Sequence, residues 1–361
     1  MAKRVIKVAV ALSGGVDSAV SAALLIEGGF DVTGIFMKTY EPEELYVDEC
    51  TWKEEQNAAR SVAEHLGIPF FTWNFEREYT ETVLKYFFSE LKNGRTPNPD
   101  VMCNQDIKFG HFLNKALKEN FNYIATGHYA HLTCGARHSY ELRRGKDKKK
   151  DQSYFLCRVP QQVFSRVLFP VGCMEKSEVR KKAHLLHLPN AERKDSQGIC
   201  FLGKINVNTF IQRHISLQPG DIKTVKGDVI GKHSGLALYT IGQREGIRIG
   251  GTKEPYYVID KNPATQTLIV VEGKEHPLLY ANGCILENIV WVAPRRSFKK
   301  SYIVQIRYQQ KPQKAFIKKS GSSNLEVAFS NPQWAVTPGQ LCALYDQDQC
   351  IASGIIKLRV A

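Results

Sequence analysis

Ala11-Leu12-Ser13-Gly14-Gly15-Val16-Asp17-Ser18 lies between an apolar, β-branched run at 5–12 and a run of helix formers at 19–27, which stops at Gly28-Gly29. That order, strand then glycine turn then helix, decides the fold. The glycines permit a tight turn and leave backbone N–H groups unobstructed. The positive end of the following helix then completes a cradle for an anion. No G-x-x-x-x-G-K-[ST] occurs in the chain, and the loop is not the G-x-G-x-x-G dinucleotide fingerprint.

Outward from this loop, strand and helix patterns alternate. A strand is expected at 32–36 and a helix at 52–66, with Ala58, Ala59, Val62, Ala63 and Leu66 on one stripe. A strand at 69–75, helices at 79–91 and 105–118, and a strand at 123–126 follow. Strands separated by helices imply parallel crossovers, hence an α/β domain with a doubly wound parallel sheet. Ligands of such sheets bind beyond the carboxyl ends of the strands. The Ser13 loop follows the first strand, Met37 the second and Gly127 a later one, so all three are expected to line one crevice.

The pattern changes after about residue 203. Short β-rich runs appear at 227–231, 236–241, 256–260 and 268–271. Longer alternating runs follow at 301–308, 314–317, 325–329, 341–345 and 351–357, a spacing that predicts a small closed β-barrel. The expected division is 1–205 for the catalytic domain, 206–281 for a small central β-rich domain and 282–361 for the barrel. The lysine run at 146–150 is the best candidate for a mobile segment.

Composition narrows the function class. With 43% hydrophobic and 24% charged residues, the 361-residue chain reads as soluble and globular. No apolar run approaches the ~18 residues of a membrane span, and the apolar stretch near the start is too short for a signal-peptide core. A cytoplasmic location is expected. Nine cysteines, an odd number with no C-x-x-C, speak against a disulfide scaffold or a zinc ribbon. No bound metal is expected. The net charge of +13 is concentrated. Nine Lys/Arg (295, 296, 299, 300, 307, 311, 314, 318, 319) face one acid, Glu287, between 283 and 319, with Trp291, Phe298, Tyr302, Tyr308 and Phe316 interleaved. A second cluster runs from Arg143 to Lys150. Taken alone, these stretches fit a solvated surface over core aromatics as well as they fit a surface for phosphates and unpaired bases.

Two cysteines stand out by context. Thr96-Pro97-Asn98-Pro99-Asp100-Val101-Met102-Cys103-Asn104 leads into a helix, which places Cys103 at or just before a helix N-terminus, where the dipole favours a thiolate. Cys200 lies in Asp195-Ser196-Gln197-Gly198-Ile199-Cys200-Phe201-Leu202-Gly203, bracketed by glycines. By spacing alone each is more often a buried filler. The glycine loop resembles that of the ATP pyrophosphatases. Together with both cysteine segments, it closely resembles the bacterial and organellar tRNA-specific 2-thiouridylases. The likeness continues through Thr126-Gly127-His128-Tyr129, Lys150-Asp151-Gln152-Ser153-Tyr154, Tyr239-Thr240-Ile241-Gly242-Gln243-Arg244, Arg307-Tyr308 and Pro338-Gly339-Gln340.

That resemblance implies an ATP-pyrophosphatase (Rossmann-like) catalytic domain and a set of roles. ATP, with Mg²⁺, is bound by residues 11–18 (Ala11, Leu12, Ser13, Gly14, Gly15, Val16, Asp17, Ser18), Met37 and Gly127. Cys200 carries persulfide sulfur, Cys103 is the nucleophile and Asp100 assists proton transfer. Asn98, Pro99 and Asp100 meet the target base. His128, Lys150, Asp151, Gln152, Arg307, Tyr308 and Gln340 contact tRNA. It also implies a wobble uridine as target and a sulfur-relay protein or cysteine desulfurase as donor. A monomer is expected. Sulfur reaches C2 either by direct attack of the persulfide or as sulfide released through a transient Cys103–Cys200 disulfide. Two rivals remain at this point: an amide-forming synthetase, which leaves the cysteines unexplained, and a catalytically silent RNA-binding module, which leaves the intact loop unexplained.

Overall fold

The computed structural model describes residues 5–41, 52–135, 140–194, 206–247, 249–250, 253–293, 301–320 and 323–360. The first half contains strands β1 (Lys7–Ala11), β2 (Asp31–Lys38), β3 (Phe70–Asn74), β4 (Tyr123–Ala125), a hairpin of β5 (Ala130–Cys134) and β6 (Tyr140–Arg144), and β7 (Val167–Leu168). Five of them form an all-parallel sheet in the order β3-β2-β1-β4-β7. The chain runs one way from β1 and returns on its other side with β4, so the order reverses between these two strands. This is the expected doubly wound sheet.

The central strand is apolar on both faces because helices cover both. Val8 and Val10 pack with α1 (Val16–Glu27) and α2 (Trp52–Leu66). Ala9 and Ala11 pack on the other face, with residues of two long helices over 76–92 and 99–118. Both long helices contain π-helical turns, Thr80–Leu84 and Cys103–Phe112. The second helix begins earlier than expected from residue 105. Pro99 occupies its first position, and the Asn98 side chain accepts the Val101 N–H at 3.2 Å. Proline at the first helical position behind an asparagine cap is a helix start, although the pair reads locally as a loop.

The central strands β8 (Gly220–Thr224), β9 (Val229–His233), β10 (Tyr256–Asn262) and β11 (Thr267–Glu272) form a mixed sheet ordered β10-β11-β8-β9. The run at 236–241 is not a strand. It makes a 3₁₀ turn at Leu236–Leu238 and then a loop, bracketed by Gly235 and Gly242 at φ +155° and +84°. Its apolar residues Leu236 and Tyr239 are buried from that loop against the sheet.

Six antiparallel strands follow: β12 (Tyr280–Trp291), β13 (Ser301–Gln305), β14 (Gln313–Ser320), β15 (Asn324–Trp334), β16 (Leu341–Asp346) and β17 (Gln349–Val360). Pairing of β12 with β17 closes the barrel, and β6 joins β17 at Arg143↔Gln349. Alternation on β16 shows how the barrel meets the α/β domain. Cys342 and Leu344 fill the barrel, whereas Leu341, Ala343 and Tyr345 enter the core that also holds Cys103.

The lysine run at 146–150 is a defined turn rather than a loose segment. Asp147 sits beneath it, 7% exposed, and its Oδ1 accepts the N–H groups of Lys149 (2.9 Å) and Lys150 (3.3 Å). A charge run looks unstructured by composition, but one buried acceptor organises its backbone.

Candidate active site

The switch point between β1 and β4 holds the glycine loop. Gly14 takes φ +75°, and a Cβ there would lie 2.6 Å from the Glu55 carbonyl oxygen, so the position needs glycine for both conformation and space. Ser18 Oγ donates to the Gly15 carbonyl at 3.0 Å and receives the Ser13 N–H at 3.3 Å. Asn190 Nδ2 and Arg193 donate to the Gly14 carbonyl at 2.9 and 3.2 Å. The Asp17 carboxylate, in the first turn of α1, is held by the Tyr129 hydroxyl (2.7 Å) and by Lys176 Nζ (2.8 and 2.9 Å). Gly127 follows β4 and touches the loop directly, since a Cβ on it would meet Asp17 C and Ser18 N at 2.7 Å. Met37 lies within β2, not after it, and is buried with Ala11.

Cys103 has no exposed surface and belongs to the same packed cluster as Ala11 and Met37. It is the fifth residue of its helix, not the first, so the helix dipole acts on it less than expected, because that effect fades beyond the first turn. It is also where the π-helical turn begins, a feature that recurs at functional sites. Asp100, half-buried, is in the first turn of the same helix. Cys200, with the whole of 195–205, lies outside the described residues. The other described buried cysteines are fillers. Burial pushes the Cys157 thiol up to about 12 and raises Cys350 well above the ordinary 9.0. A hydrogen bond with Cys284, then burial, raises Cys342 likewise.

Among known proteins, the model for a tRNA methyl transferase HUP domain matches residues 6–204. The models for the corresponding PRC-barrel domain and for an aminomethyltransferase beta-barrel domain match 208–272 and 281–356. The tRNA-specific 2-thiouridylase MnmA 1 of Geobacillus kaustophilus is 45% identical, over 97% of this chain and 95% of its own length. The tRNA-specific 2-thiouridylase MnmA of Staphylococcus aureus (strain bovine RF122 / ET3-1) is 44% identical, over 99% and 96%. The chain belongs to the tRNA-specific 2-thiouridylase family. A 4-thiouridine synthetase in complex with RNA and ATP is similar at a TM-score of 0.35 and 16% identity, over 58% of this chain and 50% of that one, too slight a likeness to carry an argument.

Of the residues expected to contact tRNA, several are committed internally. Asp151 is 8% exposed and accepts Arg144 (2.7 Å), the N–H groups of Gly145 and Ser153 (3.0 and 3.1 Å) and the Ser153 hydroxyl (3.1 Å). Gln152 pairs with the backbone of Tyr129. Arg307 donates to the carbonyls of Ile241 and Ala335 and to Thr337 Oγ1, which ties the barrel to the central domain. Tyr308 packs its ring 4.3 Å from that of Phe155. Lys150 is half-buried on the lysine turn. Lys314, Phe316 and Lys318 point outward together along β14, while residues 294–300 lie outside the described set.

Gln340 Nε2 donates to the carbonyls of Thr96 and Pro97 (2.9 and 3.1 Å), and the Thr96 N–H donates to the Pro338 carbonyl at 3.0 Å. The barrel thus holds the segment that leads to Asn98, Pro99 and Asp100. Gly339 makes this possible: it takes φ +92°, and a Cβ there would lie 2.8 Å from Thr96 N and O. Gly339→Ala is expected to destabilise by about 1–3 kcal/mol from backbone strain, with the steric clash in addition. Gly29→Ala, at φ +77° with open space, isolates the strain. Equal urea midpoints for the two variants would remove the contact with Thr96 from this account.

His128 is 9% exposed, its Nδ1 is 2.7 Å from Thr126 Oγ1, and its ring packs against Phe109 and Phe169. Burial, then the nearby charge of Lys108, holds it well below the ordinary 6.5. The unfolded chain therefore takes up a proton that the folded one refuses. Stability from this residue is complete above pH 6.5 and falls as the pH drops below it, by up to about 2 kcal/mol at pH 5. His128→Asn should flatten the loss of melting temperature between pH 7 and 5, and an unchanged slope would contradict the assignment.

Sequence reasoning passed over Tyr129, Lys176, Asn190 and Arg193, which hold the loop from distant segments. Only the Tyr129 motif had a local signal, through its neighbour Gly127.

Proposed function

We propose that the protein converts the wobble uridine of tRNA to 2-thiouridine. ATP lies with its phosphates at residues 11–18. The C2 oxygen of uracil attacks the α-phosphorus, a P–O bond forms, and the bond to the leaving pyrophosphate breaks. AMP is then a good leaving group at C2. Both Asp17 oxygens are held by Lys176 and Tyr129, so Mg²⁺ would be carried by the triphosphate itself, where it would neutralise phosphate charge. Backbone N–H groups at the start of α1 hold the phosphates. The cap at Asn98 sets the helix that carries Asp100 and Cys103, and Asp100 moves the proton.

The Cys103 thiolate attacks the inner sulfur of the Cys200 persulfide. The S–S bond to the outer sulfur breaks, and hydrosulfide leaves with the bonding pair. A Cys103–Cys200 disulfide remains, and a cellular thiol must reduce it. Hydrosulfide adds to C2 and the C–O bond to AMP breaks. Direct attack by the persulfide gives the same product and then needs Cys103 to release the sulfur from Cys200. A sulfur-relay protein or cysteine desulfurase recharges Cys200. An anticodon loop suits the site because its bases are already unpaired.

The single observation that carries this reading is the 45% identity, over 97% of this chain and 95% of the relative, to a tRNA-specific 2-thiouridylase. The amide synthetase reading does not account for that likeness. Transfer of radiolabelled sulfur to tRNA with ATP tests the function. In that assay Cys200→Ser should incorporate none, and normal incorporation would refute its role.

A further inference from the structure

We propose that Tyr129 and Asp147 are positioning residues that couple the basic turn at 146–152 to Asp17 of the nucleotide loop. The inference rests on reading that turn as RNA-facing and residues 11–18 as the ATP site.

Two routes leave the turn and converge on one carboxylate. On the first, the Gln152 N–H donates to the Tyr129 carbonyl at 2.8 Å, and the Tyr129 N–H donates to Gln152 Oε1 at 3.0 Å. The Tyr129 hydroxyl then donates to Asp17 Oδ1 at 2.7 Å. On the second, Asp147 gathers the N–H groups of Lys149 and Lys150 on Oδ1 and that of Lys176 on Oδ2 at 3.0 Å. Lys176 Nζ then pairs with both oxygens of Asp17.

The turn is pressed onto Tyr129, because a Cβ on Gly145 would lie 2.6 Å from the Tyr129 carbonyl oxygen. Tyr129 and Asp147 are 2% and 7% exposed, so neither presents a surface to RNA. Lys146, Lys148 and Lys149 are exposed. Among the described residues the first two pair at the surface with Glu178 and Asp348, and such pairs exchange readily for phosphate.

The physical logic is preorganisation. An unrestrained Asp17 carboxylate repels a triphosphate, and one held by a cation and a hydroxyl does not. Phosphates bound at the lysines favour the one arrangement of the turn that holds Tyr129 and Lys176, and through them Asp17, in place. ATP then meets a loop that needs less ordering. The coupling is reciprocal, so bound nucleotide must tighten RNA binding by the same factor.

The test measures the affinity of tRNA with and without α,β-methylene-ATP and Mg²⁺, an analogue that is not cleaved at the bond the reaction breaks. In the wild type the analogue should tighten tRNA binding about fivefold or more. Tyr129→Phe removes one hydroxyl, and Asp147→Asn removes the charge that gathers three N–H groups. Each should bring the ratio within about twofold of one, while the salt slope of tRNA binding, which counts phosphate contacts, stays as in the wild type. The same ratio in both variants as in the wild type overturns the proposal, as does a wild-type ratio of one. If Tyr129→Phe does not fold, Asp147→Asn carries the test through the second route. A wild type that thiolates tRNA without any such ratio overturns the coupling alone, whereas one that neither binds nor thiolates tRNA overturns the function beneath it as well.

Discussion

Gly127→Ala should lose about 100-fold in kcat/KM for ATP, read as pyrophosphate released in the presence of tRNA. The added methyl carbon would sit 2.7 Å from Asp17 C and Ser18 N, nearer than carbon tolerates, and both atoms are backbone. Gly127 cannot retreat, because β4 just before it pairs with β1 at Val8↔Tyr123 and Val10↔Ala125. The start of α1 must move instead. Its N–H groups are what the loop offers to phosphate, and a site of this kind tolerates only about 0.5 Å of displacement. Overpacking should also cost about 1–3 kcal/mol of stability. Wild-type kcat/KM in a folded Gly127→Ala protein would detach this glycine from the nucleotide site.

Cys103→Ala should yield no 2-thiouridine in digests of tRNA, while pyrophosphate release persists. In the proposed mechanism activation of the base precedes sulfur chemistry, so removing the thiol stops only the later step. The residue is wholly buried among Val101, Met102 and Ile107. Deleting its sulfur should therefore cost about 1–2 kcal/mol, which urea unfolding reads. Thiolation within tenfold of wild type would show that Cys103 is a packing residue and that sulfur reaches the base without it.

The doubly wound sheet was legible because its central strands are continuous apolar runs and its first helix stops at Gly28-Gly29. The start of the Cys103 helix was not, because Pro97-Asn98-Pro99 reads as a loop until Asn98 is seen accepting the Val101 N–H. The turn at 236–241 misled in the opposite direction. Its apolar residues pack from a loop, and two glycines at positive φ break the strand that their spacing suggests. The resemblance gives Arg307 and Gln340 to tRNA; the structure adds that Arg307 donates to the Ile241 carbonyl and Gln340 to those of Thr96 and Pro97, across domain boundaries. Sequence carries residue type, not the partner that a side chain finds 66 or 244 positions away.

The sequence by itself determined the glycine loop, the parallel α/β domain, the barrel and the family, because each depends on short-range pattern or on ordered motifs along the chain. Only the tertiary structure decided what holds that loop and what sets the Cys103 helix. Asp17 meets Tyr129 and Lys176, and Thr96 meets Gly339 and Gln340, through hydrogen bonds and close contacts between segments more than 100 residues apart. Such contacts are fixed by how the sheet, helices and barrel stack, and no local period or propensity encodes them.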